Sequence, residues 1–432
     1  MGLLYFCTTL VAAWLTYNLY RPNYKSERGM VPSFLAGWVI GEAIPHVIVA
    51  QAIATTLFAM IGAIHGFWGS LGILITIVSW VAMMGHYTTS FRAKYVVEEA
   101  LKSALGNDYQ KNVAPELQDR LNKSIDIEKI AKPWLLDRDD VKRIKNIKYD
   151  AQDGMNLKLD VYHHHSLPQD CPILFQIHGG AWTYQQGSKN EQARPLMNHL
   201  AANGWVCVSV DYRLSPAGTF PEHIIDCKKA FAWVKENIQQ YGGNSDFIIA
   251  TGGSAGGHLS SLFALTANDP KFQPGFEEVD TTVQGCIPFY GVYDFSNTYG
   301  LQANAGLGKL LHRSVMKESL DGHREHYLEA SPLHRIHEDA PPFFVVHGDS
   351  DTLTPKEEAR KFVEELGKIS NQAVAYAEIA GAQHAFDVFP SIRSEYCKLG
   401  IEHFVNYLYS EHLAAHRGES TAVVVKLASA ES

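Results

Sequence analysis

Residues 246–262 read DFIIATGGSAGGHLSSL. An apolar run, Phe247-Ile248-Ile249-Ala250, leads into four glycines around Ser254, and an apolar, helix-like stretch follows. Two readings compete. A phosphate-cradling loop wants Lys after its glycines, but His258 and Leu259 stand there. The other reading is a strand-to-helix turn so tight that the residues two before and two after the serine have no room for a Cβ. Gly252 and Gly256 hold those places. Such a turn lifts the serine hydroxyl to the carboxyl edge of a sheet. There it sits above a helix amino terminus, whose dipole favours developing negative charge.

The surroundings fit the second reading. From about residue 141, short β-branched runs alternate with longer helical patterns. Strands are expected near 157–162, 172–177, 205–210, 247–251, 284–290, 342–347 and 373–379. Helices are expected near 190–203, 221–241, 255–267, 355–369 and 392–410. That alternation predicts an α/β fold, a mostly parallel doubly wound sheet with helices on both faces. The earliest strands are expected to form an antiparallel edge. Residues 296–340 show no strand pattern and read as an insertion over the carboxyl edge of the sheet.

A nucleophilic serine needs a base, and the base needs an orienting acid. In this kind of sheet the order is Ser, Asp, His, each in a loop after a later strand. Residues 341–355, PPFFVVHGDSDTLTP, give a strand and then an acidic turn with Asp349 and Asp351. Residues 373–386, AVAYAEIAGAQHAF, give a strand and then a loop with His384. A third stretch, PILFQIHGGAW at 172–182, ends in glycines that let backbone N–H groups turn inward. Gly179, Gly180 and Ala181 are candidate donors to an oxyanion, and the amide of Ala255, just after the serine, is another.

Together HGGAW, DYRLSP (211–216), GGSAGGH, HGDSD and GAQHAF resemble the α/β-hydrolase superfamily, in its hormone-sensitive-lipase-like and carboxylesterase branch. The resemblance covers roughly residues 140–410. It implies catalytic Ser254, Asp351 and His384, with Asp349 bracing the turn. Ala181 departs from the family's HGGG, a change that keeps the backbone donor. The implied activity is that of a serine carboxylesterase or lipase. HGG-x-W followed by G-S-K also occurs in feruloyl-esterase-like, formamidase-like and isoprenylcysteine-methylesterase-like members. Amide hydrolysis, acyl transfer and a non-catalytic binding protein on the same fold are the alternatives, because fold does not set substrate.

The amino-terminal region has another character. Residues 2–20 carry no charge, and from 29 to 91 the only formally charged side chain is Glu42. A membrane span needs about 20 apolar residues, which predicts spans at 3–20, 44–64 and 67–87. Residues 31–43 are too short to span alone. They are expected to extend the second helix across a kink at Pro45 or to lie at the interface. Glu42 and His46, four apart, could share a helix face in an interfacial or packing role. Arg21, Lys25 and Arg28 follow the first span, Arg92, Lys94 and Lys102 follow the third, and no Lys or Arg lies between the second and third. Positive flanks mark the cytoplasmic side, so a multi-pass anchor with a cytoplasmic catalytic domain is expected.

The expected organisation is an anchor at 1–91, a helical connector and possible cap at 92–140, a catalytic domain at 141–412 and a disordered tail at 413–432. The formal net charge of -9 argues against a nucleic-acid partner. A hydrophobic ester or lipid and the membrane are the partners expected. Six cysteines are scattered without a C-x-x-C pair, which points to buried thiols in a reducing compartment. His163-His164-His165 read as an exposed loop rather than a metal site, and no metal or cofactor motif is present. His258 reads as a packing or hydrogen-bonding residue. Asp211 and Arg213 are expected to form a buried ion pair under the oxyanion loop.

Overall fold

Strands rich in Val, Ile and Phe cannot leave either face in water, and seven such runs build the centre of the molecule. The computed structural model describes residues 1–418 except Asp119, Lys123, Asp153, Gln185 and Gln186. Its single sheet holds β1 (Val141–Gln152), β2 (Met155–His164), β3 (Cys171–Ile177), β4 (Val206–Val210), β5 (Gly243–Gly253), β6 (Gly285–Phe289), β7 (Phe343–Gly348) and β8 (Val374–Ile379). The spatial order is β1-β2-β4-β3-β5-β6-β7-β8. β1, β2 and β4 pair antiparallel, and β4 through β8 run parallel. β1 falls outside the expected strands. Its VKRIKNIKYDAQ is mostly charged or polar, as suits an edge strand with an exposed face.

After β3 the chain steps to β4 on one side, and after β4 it returns to β5 on the other. This reversal opens a crevice at the carboxyl ends of β3 and β5, where α/β sheets place their ligands. Ile177 pairs with Gly252 there, so the loop after β3 and the turn after β5 are neighbours by register.

Five helices precede the sheet: α1 (Gly2–Tyr20), α2 (Met30–Glu42), α3 (Ile44–Met60), α4 (Gly66–Thr89) and α5 (Arg92–Leu105). Two short ones follow, α6 (Pro115–Gln118) and α7 (Ile127–Ala131). Among the sheet strands lie α8 (Arg194–Ala202), α9 (Glu222–Asn237), α10 (Ala255–Leu265), α11 (Gly306–Leu310), α12 (Arg324–Glu329) and α13 (Lys356–Ile369); α14 (Ile392–His416) is the last helix among the described residues. One face of the sheet is covered by α9, α10 and α13 around Phe175, Phe231, Phe263 and Phe362. On the other face α5, α8 and α14 pack through Val97, Leu101, Leu200 and Phe404. The connector therefore adds a layer to the sheet's flank through α5. The insertion contains α11 and α12 and no strand. α14 runs past residue 413 to His416, and 419–432, the bulk of the expected tail, lie outside the described residues.

α1 and the helix starting at Gly66 are long and apolar enough to cross a membrane; α2 with α3 counts as a third only as one span bent by 94°. The bend at Ala43 is the point of difference from expectation. α2 does not continue α3 but turns onto the hydrolase portion. There the Trp38 indole N–H donates to the carbonyl of Ala385 at 2.7 Å. Glu42 and His46 consequently share no helix face. Glu42 pairs with buried Arg393 at 3.1 Å and accepts from the Ser391 hydroxyl at 2.7 Å. His46 meets the carbonyl of Ala131 through Nε2 at 3.1 Å.

Candidate active site

β5 ends at Gly253 and α10 begins at Ala255, so Ser254 alone makes the turn. Its φ of 60° and ψ of -120° lie where side-chain-bearing residues are strained. The surroundings hold it there. The Ser254 amide donates to the Phe289 carbonyl at 2.9 Å. A Cβ on Gly252 would stand 2.3 Å from the Gly256 carbonyl oxygen, and one on Gly256 only 2.1 Å from that of Ile177. Only glycine allows the strand, the turn and the loop after β3 to approach this closely.

Asp351 and His384 arrive on the loops after β7 and β8, which pair through Gly348 and Ile379. His384 Nδ1 donates to Asp351 Oδ2 at 2.7 Å, leaving Nε2 as the basic nitrogen. The buried Asp351 also accepts from the amides of Leu353 and Thr354 at 2.8 and 2.9 Å and from the Thr354 hydroxyl at 2.9 Å. Burial pushes its carboxyl up. The charge and hydrogen bond of His384, with His347 and the Thr354 amide, outweigh that and hold it below the usual carboxylate value. Asp349 has other work: it accepts from the Gly381 amide at 2.7 Å and from the Ser350 hydroxyl at 2.9 Å, tying the two loops together. The ring of Tyr290 lies 4.6 Å from that of His384, with its hydroxyl bonded to Asp387.

The loop after β3 runs through three successive positive φ values, 113° at Gly180, 52° at Ala181 and 58° at Trp182. The amides of Gly180 and Ala181 meet no protein acceptor among the described residues. Ala255, at the first position of α10, has no carbonyl within the helix to receive its N–H. Gly179 is the exception among the four expected donors. Its amide is engaged by Gln192 Oε1 at 2.6 Å, so it braces the loop instead of facing an oxyanion.

His258, expected to pack or hydrogen-bond, supports this loop through a partner the sequence did not show. The Trp182 indole donates to His258 Nδ1 at 3.3 Å, and His258 Nε2 donates to the Ala330 carbonyl at 2.7 Å. His258 stacks on Phe295 with centroids 4.2 Å apart, so it is both a packing and a hydrogen-bonding residue. The expected Asp211–Arg213 pair does not form. Arg213 reaches α9, bonding Asp226 at 2.8 and 2.9 Å and Glu222 at 2.6 Å. Asp211 instead faces Lys189, at 3.0 Å to its amide. Two residues apart at the end of a strand, the pair diverges. His163 is buried on β2 and not in an exposed loop. No group of His, Cys, Asp or Glu among the described residues is arranged to hold a metal. Cys7 is exposed, the other five cysteines are buried, and all are free.

Ser254, His384, Gly180 and Ala181 line one cavity of about 580 Å³. Its remaining walls are largely apolar, with Trp182, Val292, Leu307, Leu310, Leu353 and Val388 among them. A serine at a strained strand-to-helix turn, an acid–imidazole pair after later strands and a glycine loop beside them define an α/β-hydrolase.

Comparison with known proteins narrows that class. A family model described as BD-FAE matches residues 159–366. The esterase LipQ of Mycobacterium tuberculosis is 35% identical over 392 residues, covering 89% of this chain and 86% of LipQ. The probable carboxylic ester hydrolase LipM of the same organism is 52% identical over 254 residues, covering 59% of this chain; the match spans 58% of LipM's length. Among solved structures, a truncated form of a carbohydrate esterase from gut microbiota matches with a TM-score of 0.53. It is 19% identical, over 62% of this chain and 99% of that one, a likeness of fold. The chain belongs to the carboxylesterase family of α/β-hydrolases, in the hormone-sensitive-lipase-like branch.

Proposed function

We propose that the protein is a membrane-anchored serine esterase that hydrolyses a hydrophobic carboxylic ester. Ser254 Oγ attacks the ester carbonyl while His384 Nε2 takes its proton. Asp351 holds the imidazole in the tautomer that can do so and stabilises the imidazolium that forms. The amides of Gly180, Ala181 and Ala255 receive the oxyanion; one such donor is worth about 3–4 kcal/mol in the transition state. The imidazolium then gives its proton to the departing alkoxide, leaving an acyl-serine. Water, deprotonated by the same imidazole, attacks the acyl carbonyl and releases the acid.

The observation that carries this reading is the His384–Asp351 hydrogen bond of 2.7 Å at the wall of an apolar cavity that also holds Ser254. The apolar walls support an ester with a hydrophobic part. The apolar amino-terminal helices support residence in a membrane, and the flanking Lys and Arg support a hydrolase on the cytoplasmic side. A fluorophosphonate probe is expected to modify Ser254 and no other residue, read by peptide mass spectrometry, with labelling and ester hydrolysis both abolished in Ser254→Ala. Undiminished labelling of that variant would sink the assignment.

A further inference from the structure

Helix α2 belongs by composition to the apolar amino-terminal region, yet it forms part of the cavity above Ser254. Met30, Val31, Phe34 and Trp38 recur at three- and four-residue spacing, which puts them on one face of the helix, and all four line that cavity. Phe34 stands edge-on to the His384 ring with centroids 5.9 Å apart and stacks on Trp38 at 5.4 Å. The helix is pinned beside both the base and the acid. Trp38 donates to Ala385, the residue after His384, and the hydroxyl of Thr352, the residue after Asp351, donates to the Met30 carbonyl at 3.0 Å.

The cavity is polarised. Apart from Ser254, His384 and Thr354 at its floor, its polar lining is Gln192 and Glu191 on the side of the glycine loop, and the α2 side chains that line it are all apolar. Leu307 and Leu310 of the insertion add to the apolar lining. At the outer edge Val31 is 48% exposed, and Leu35 and Val39 continue the exposed apolar ridge at four-residue spacing. That ridge lies on the helix joining α1 to α3, at the level where the anchor meets the hydrolase.

Resting on the serine-esterase reading above, we infer that α2 is the chain-selecting wall of the site: the apolar chain of a membrane-dissolved ester passes Val31 and lies along α2 and the α11 leucines, with its carbonyl at Ser254. Val31 guards the mouth and so sets how much chain enters. Each methylene taken into such a wall raises kcat/KM about 4-fold until the wall is used up.

The test uses the full chain in lipid nanodiscs with p-nitrophenyl esters from acetate to dodecanoate. Val31→Trp narrows the mouth and Val31→Ala widens it; the side chain is half exposed, so neither burdens folding. Titration with a fluorophosphonate counts competent Ser254 and normalises every rate. For Val31→Trp, kcat/KM for the long esters is expected to fall at least about 10-fold. The loss should reside in KM, and the dodecanoate-to-acetate ratio of kcat/KM should itself fall about 10-fold. Val31→Ala is expected to move the optimum toward longer or bulkier esters. An unchanged chain-length profile in both variants, with Ser254 titrating fully, overturns the role of α2 and leaves the serine reading standing. Equal loss for all esters also overturns it, because that is the mark of a structural role. Failure of wild-type Ser254 to titrate overturns the serine reading and this inference with it.

Discussion

At the residue scale, the two aspartates of the HGDSD turn separate cleanly by their partners. Asp351 receives the imidazole N–H of His384, whereas Asp349 receives a backbone amide and a neighbouring hydroxyl. Asp351→Asn keeps the shape but turns an acceptor into a donor, which favours the wrong imidazole tautomer. Turnover is expected to fall by up to about 10⁴-fold, the size seen for the same change in a serine protease. Asp349→Asn should cost far less, and equal losses in steady-state kcat would put the acid at the wrong residue. His258 makes a second prediction. It accepts from Trp182 through Nδ1, so protonation at that nitrogen removes the acceptor. Burial lowers it to about 4. A folded value below the ordinary 6.5 means that neutral His258 contributes its full stability above pH 6.5, and that the contribution is lost as pH falls toward 4. The loss is about 3 kcal/mol by pH 4. His258→Gln can still accept and donate but does not titrate. Its unfolding midpoint is expected to fall less than that of the wild type between pH 6.5 and 4. Parallel curves would exclude His258 as a source of acid sensitivity.

At the scale of elements, a buried ion pair helps to join the apolar amino-terminal helices to the hydrolase. Glu42, the last residue of α2, meets Arg393 in the first turn of α14, and both side chains are essentially inaccessible. Arg393 also donates to the Gly41 and Ala380 carbonyls at 3.1 and 2.8 Å, and to the Thr89 hydroxyl at 3.0 Å. Removing one partner of such a pair strands the other charge in the interior, a loss of about 3–5 kcal/mol. Glu42→Ala is therefore expected to lower the thermal midpoint in detergent markedly and to expose α2 to limited proteolysis. An unchanged cleavage pattern would mean that Trp38 and Thr352 hold the helix alone. This joint also marks how far the sequence could be read. The parallel strands and the Ser, Asp, His order were legible because buried strands are continuous apolar runs and the site residues fall just after them. β1 was not, since an edge strand rich in Lys and Arg carries no apolar run. Residues 31–43 were legible only as apolar. Composition cannot tell a helix in lipid from one on a catalytic cavity, although Phe34 and Trp38, four apart, already shared a face. The engagement of the Gly179 amide was invisible because Gln192 lies 13 residues further along the same long loop, and only its fold brings the two together. The Arg213 pairing depended on the packing of α9, which no local pattern encodes.

At the scale of the whole molecule, three helices and the hydrolase give a definite vectorial arrangement. Gly2 sits against the turn after α3, where an added Cβ would lie 3.2 Å from the Ala63 carbonyl. At the opposite end the Tyr20 hydroxyl donates to the Ala82 carbonyl at 2.6 Å, and its ring lies 5.6 Å from that of His86. α1 and α4 thus run parallel. α3 returns between those ends, with Gln51 accepting from the Trp80 indole at 2.8 Å. Tyr20, Glu42 and Thr89 all sit at the hydrolase end, and Gly2 and the turn at 61–65 at the far end. The charges divide in the same way. Arg21, Lys25 and Arg28 follow α1, Arg92, Lys94 and Lys102 follow α4, and the far turn has no Lys or Arg. A bundle that crosses a bilayer with this asymmetry is expected to keep the positive end, and the hydrolase with it, in the cytoplasm. Free buried cysteines are at home on that side. In a bacterial host, alkaline phosphatase fused after Gly418 is then expected to be inactive, and a fluorescent protein at the same point to be bright. Active phosphatase would put the hydrolase outside. The ester would then have to come from the outer leaflet or beyond, because Ser254 and His384 lie in the hydrolase.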